Sequence, residues 1–99
     1  MADFIFLMHD TPNETPNETS TWPAYLDSLT RGGHLRGGSA IGSGTAFRKD
    51  GAAPSITAHL TGFIRIEADS LAAAQRLLAG NPVYEAGGVV EIRELPETD

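Results

Sequence analysis

Three histidines are the side chains of this sequence that titrate near neutral pH, and no cysteine is present to share the chemistry. His9 is followed directly by Asp10, His34 follows a Gly32-Gly33 pair, and His59 stands just before Thr61-Gly62. A general base needs a pKa near the working pH, and a neighbouring carboxylate holds an imidazole in one tautomer. His9, Asp10 and His59 are therefore the candidates for acid–base catalysis, while His34 is expected to serve a helix–strand turn. Adjacent residues of a strand point to opposite faces, so Asp10 assists His9 only if the strand ends between them. The histidines lack metal-ligand spacing such as His-x-His, and zinc needs three or four converging side chains, so no metal site is expected. The glycine-rich run 37–44 (GGSAIGSG) lacks the Lys-Ser/Thr end of a phosphate-binding loop, and no helix follows it to receive an anion. Ser39 and Ser43 have no base beside them in sequence, which leaves serine nucleophile chemistry without support. No cofactor is expected.

The chain around these residues has 99 residues, enough for one domain with one core, and a net charge of −6. An acidic surface with scattered basic residues repels phosphate backbones, so a nucleic-acid partner is not expected. The start of the chain has no basic region, and no apolar run is long enough to span a bilayer, so the expected location is the cytoplasm, away from membranes.

Residues 4–8 (FIFLM) are apolar at every position, which suits a central strand covered on both sides, expected over 3–9. Residues 11–19 carry a tandem Thr-Pro-Asn-Glu duplication without an apolar side chain other than proline. Such a segment cannot bury a core of its own and reads as a mobile surface loop or as a flap over a pocket. Ser20 or Thr21 caps a helix that tolerates Pro23 in its first turn. Trp22, Tyr25, Leu26 and Leu29 fall at i, i+3, i+4 and i+7 on its apolar face, and Gly32-Gly33 ends it. A long strand is expected over 34–49, with bulges or close backbone approach at its glycines. Asp50-Gly51 signals a turn, and 55–59 returns alongside to make an extra hairpin. A strand over 61–68 follows. Asp69 or Ser70 caps a second helix with Leu71, Ala74 and Leu78 on one face, Gly80 stops it and Pro82 prevents its restart. The last strand is expected over 88–95. The order is that of an α+β, ferredoxin-like βαββαβ antiparallel sheet with an extra hairpin.

Strand period places Ile64, Ile66 and Ala68 on one face and Phe63, Arg65 and Glu67 on the other. Val90 and Ile92 likewise oppose Val89, Glu91 and Arg93. The aliphatic faces should lie under the helices. The second face mixes aromatic, aliphatic and charged groups, and packing it against the same face of a second copy would cover it, which predicts a homodimer.

Read together, Trp22-Pro-Ala-Tyr-Leu26, Gly32-Gly-His-Leu-Arg-Gly-Gly38, Asp69-Ser-Leu-Ala-Ala-Ala-Gln75 and Asn81-Pro through Gly87-Gly-Val-Val-Glu-Ile-Arg93 resemble the YCII-related family, including its YciI-like and DGPF branches. The resemblance implies a dimeric α+β barrel. Shorter YciI-like members carry a His early in the first helix and an Asp in an Asp-Pro-Tyr turn, viewed as an acid–base dyad. By the motif match, Tyr25 stands at the His position and Asn81 at the Asp position, so the dyad is absent here. The Asp-Gly-Pro-Phe motif is absent too, because Asp50-Gly51 continues as Ala-Ala-Pro. The resemblance implies a pocket between sheet and helices, for which Tyr25, Ser39, His59 and Asn81 are the candidate ligand-binding residues. Two readings follow: a small-molecule-binding protein or enzyme of unknown reaction, or a non-catalytic dimeric accessory or regulatory module.

Overall fold

Strand β1 (Ala2–His9) occupies a central position in the sheet, as its apolar sequence requires. The computed structural model describes residues 2–10 and 21–97. Phe4, Phe6 and Met8 are buried on one face of β1, and Ile5, Leu7 and His9 alternate onto the other, where they are half-buried. The sheet has four strands in the order β2 (Leu35–Ala40), β3 (Leu60–Ala68), β1, β4 (Val89–Leu95), with every neighbouring pair antiparallel. Helices α1 (Trp22–Arg31), α2 (Leu71–Arg76) and α3 (Pro82–Glu85) complete the chain order. This is the ferredoxin-like α+β arrangement, with the short α3 added before the last strand.

Local chemistry sets the helix ends. The Thr21 side chain accepts a hydrogen bond from the Ala24 amide, and Ser70 does the same for Ala73, each satisfying a donor that the first helical turn leaves free. Pro82, expected to prevent a restart of helix, instead begins α3, where its missing N–H costs nothing at the first helical position, and the Asn81 side chain accepts from the amides of both Val83 and Tyr84. One core results. Tyr25 and Leu29 of α1, Ala74 of α2 and Leu78 pack on the helix-facing side chains of β1 and β3, with Val90 and Ile92 of β4 at its edge.

The extra hairpin is not formed. β2 ends at Ala40, β3 begins at Leu60, and residues 41–59 contain no strand beyond a single added ladder bond from the Ile41 amide to the Thr61 carbonyl. The Asp50-Gly51 signal does mark a bend, with Gly51 at φ +82°. The flanking residues do not pair, because nothing packs on them: Phe47 is 87% exposed and Ile56 76%. An isolated two-stranded ribbon is marginal in water, and glycines with a proline at position 54 weaken it further. The glycine irregularities lie earlier. The pairing of β2 with β3 slips by one residue between Leu35 and Gly37, and Gly37 takes φ +137°, a bulge open to few other residues. The duplicated segment 11–19, expected as a mobile loop, lies outside the described residues. Among the described residues no helix is long and apolar enough to cross a membrane.

Candidate functional site

The sheet register opens a cleft under α1. The pairs Gly38↔Ile64, Ser39↔Phe63 and Ala40↔Gly62 put Gly38, Ala40 and Gly62 on the helix-facing side with Ile64. Three of these four positions carry no side chain larger than a methyl group. A Cβ at Gly38 would stand 2.6 Å from the Phe63 carbonyl oxygen, so the close approach of β2 to β3 requires glycine there. A Cβ at Gly62 would stand 3.3 Å from the Ser39 carbonyl oxygen and 3.5 Å from the Met8 methyl group. What remains is a cleft of about 630 Å³, walled by Trp22 and Leu26 of α1, Val83 of α3 and Leu35 of β2. Ser39, Thr61 and Trp22 are the described lining residues with a polar side-chain atom, the register turning the first two toward the opposite face, and none of the described residues lining it carries a charge.

Beneath this wall lies a buried polar pair. Tyr25 is 3% exposed and donates its hydroxyl to the Leu77 carbonyl at 2.7 Å, tying α1 to the end of α2. Burial pushes the Tyr25 phenol up to about 12, and the Asn81 amide beside it works in the opposite, lowering direction. Asn81 is fully buried. Its Oδ1 caps α3, while its Nδ2 makes no well-formed hydrogen bond among the described residues. The neutral phenol is the native form, so its contribution to stability is present below the ordinary tyrosine pKa of about 10 and is lost as pH rises through about 12. In a Tyr84→Phe variant, where Tyr25 is the single phenol left, phenolate absorbance at alkaline pH should emerge near pH 12. Ionisation centred near pH 10 would show that Tyr25 is not held neutral by burial.

The structure sorts the residues that the sequence nominates. Tyr25 and Asn81 come together in the core, next to the cleft. Ser39 lines the cleft, with its hydroxyl donating to the Ala40 carbonyl at 2.8 Å. His59 joins neither group; it is exposed in the turn before β3, where its carbonyl accepts the Asp10 amide at 2.6 Å. That bond brings His9, Asp10 and His59 to one corner of the sheet. β1 ends at His9, yet the carboxylate that reaches the imidazole is Glu91 of β4, with Nε2 3.0 Å from Oε1, rather than Asp10. This pair sits on the sheet face opposite the cleft. His34 serves the helix–strand turn, its amide bonded to the Leu29 carbonyl and its Nδ1 2.9 Å from the Glu67 carbonyl oxygen. Among the described residues no cluster of three or more His, Asp or Glu side chains could hold a metal ion. Sequence reasoning missed the small-residue floor and Glu91. The available signal for the floor was parity: Gly62 falls in step with Ile64 and Ile66, where a core side chain is otherwise expected. Glu91 needed the β1–β4 register, which no local pattern carries.

Comparison with known proteins agrees with this architecture. No curated protein gives a significant sequence match. Among solved structures, 5-chloro-2-hydroxyhydroquinone dehydrochlorinase (TftG) from Burkholderia phenoliruptrix AC1100, in complex with 2,5-dihydroxybenzoquinone, superposes with a TM-score of 0.58. The match covers 97% of this chain and 95% of that one, at 18% sequence identity, a likeness of fold. The YCII-related domain matches residues 2–98, nearly the whole sequence, and the chain belongs to the YCII-related family.

Proposed function

We propose that this protein binds a small organic molecule in the cleft between α1 and the β2–β3 edge, and does so as a homodimer. The observation that carries the reading is the cleft: a concave, mostly apolar space of about 630 Å³, well within the ~300–1,000 Å³ usual for small-molecule sites. The dehydrochlorinase of like fold was solved with a small molecule bound, which supports the same use here. A ligand that favours the native state raises its melting temperature, so a thermal-shift screen against a metabolite library should return compounds that stabilise the protein. Ala40→Phe, which fills the cleft from an exposed position, should abolish those shifts; shifts that survive it would remove the cleft from the reading. Tyr25 and Asn81 stand where the family's dyad would be, and His9 with Glu91, near Asp10 and His59, lies across the sheet from the cleft, so an enzymatic version would need acid–base work at that second face rather than on a ligand in the cleft.

The alternative, a non-catalytic accessory module, has one observation in its favour: no described side chain lining the cleft titrates near neutral pH. A screen without a single stabilising compound would favour it.

The dimer rests on the second sheet face. Ile5, Leu7 and Phe63 are half-buried there in the single chain, framed by the Arg36–Glu67 ion pair and the His9–Glu91 contact, each at 3.0 Å. Packing this face on its copy would bury the apolar centre and leave the charges at the rim. Light scattering at micromolar concentration should give twice the chain mass, and Phe63→Asp should shift it toward the monomer. A monomer mass for the unaltered protein would sink the proposal.

A further inference from the structure

We infer that the ligand of the cleft is an uncharged, flat and largely apolar molecule. The inference rests on the proposed cleft as the binding site and names what that site can take. Charge is decided first. The described residues lining the cleft include no Arg, Lys, His, Asp or Glu. An ionised ligand would leave water without gaining a counter-charge from any described lining residue, and burial of an unpaired charge is strongly unfavourable. Shape is decided by the floor. Gly38, Ala40 and Gly62 present main chain and one methyl group where neighbouring helix-facing positions carry Ile64 and Ile66. The result is a low floor of main chain and one methyl group, bordered by Met8, Leu35 and Ile64, with Trp22 and Leu26 as the wall above it. A planar ring system makes full contact with such a slot, whereas a puckered or branched skeleton of equal volume does not.

The chain carries its own reporter, since its single tryptophan is Trp22 at the cleft. Three probes separate the requirements at pH 7: 2-naphthol, which is flat and neutral; 2-naphthoate, the same ring with a charge; and decahydro-2-naphthol, the same skeleton puckered. Trp22 emission and the melting temperature are followed with each probe, on the full chain and on Ala40→Phe. Ala40→Leu stands in for Ala40→Phe should circular dichroism show the phenylalanine variant unfolded. The expected result is at least tenfold tighter binding of 2-naphthol than of either other probe, with binding lost in the blocked variant. Equal or tighter binding of 2-naphthoate or decahydro-2-naphthol, still lost in the blocked variant, would overturn the ligand class and leave the cleft as the site. Binding that persists in the blocked variant would overturn both. No response to any of the three probes would overturn the inference, and a wider screen that also stays silent would overturn the binding reading with it.

Discussion

Replacing Phe6 with alanine should lower the unfolding free energy by about 3–5 kcal/mol, the cost of losing a buried aromatic ring together with the cavity it leaves. Phe6 is fully buried at the middle of β1, paired with Ile64 across β3 and with Ile92 across β4. Every helix-facing neighbour is already in place around it, so little can collapse into the space. A domain of this size has only about 5–15 kcal/mol in total, and the variant should therefore unfold at a markedly lower urea concentration. The control is Phe47→Ala. The ring at position 47 is 87% exposed in the 41–59 segment, and its loss should stay within about 0.5 kcal/mol. Equal losses at the two positions would mean that 41–59 packs against something in solution, and that the burial described for β1 does not set the stability.

Asn81→Ala should cost about 1–3 kcal/mol and should weaken ligand binding as well. The stability loss comes from the cap: the amides of Val83 and Tyr84, at 3.0 and 3.1 Å from Oδ1, would lose their acceptor. The loss is moderated because the substitution also removes Nδ2, a buried donor that lacks a well-formed hydrogen bond among the described residues. Binding should follow because α3 carries Val83 into the cleft wall, and a frayed α3 no longer holds that wall. Equilibrium denaturation measures the first effect and the thermal shift given by a screened ligand measures the second. A stability change below about 0.5 kcal/mol would show that Asn81 is an ordinary turn residue and that the cap does not hold α3.

What the residues by themselves determined was the set of elements and their faces. Alternation in 61–68 and 88–95 and the i, i+3, i+4, i+7 spacing of Trp22, Tyr25, Leu26 and Leu29 are local patterns, written in residues close enough in sequence to set each other's orientation. Caps are local as well, and Thr21 and Ser70 do what their types and positions suggest. The 34–59 stretch misled for the same reason. Its turn signal at Asp50-Gly51 is real, but a hairpin survives only when something packs on it, and whether Phe47 and Ile56 find a surface is a long-range matter.

Only the tertiary structure decided which residues meet. Tyr25 and Asn81 lie far apart in the chain, and it is the packing of α1 against the end of α2 that brings the phenol to the amide. His9 received Glu91 rather than its neighbour Asp10, because the register of β1 against β4 sets the distance between side chains on adjacent strands and sequence proximity does not. The cleft is the clearest case. No residue announces it: it arises because a slip at Gly37 sets the pairing of β2 with β3, so that Gly38, Ala40 and Gly62 gather where side chains would otherwise fill the core. An empty volume is a property of several strands at once, and each strand's own sequence records only its share of the missing atoms.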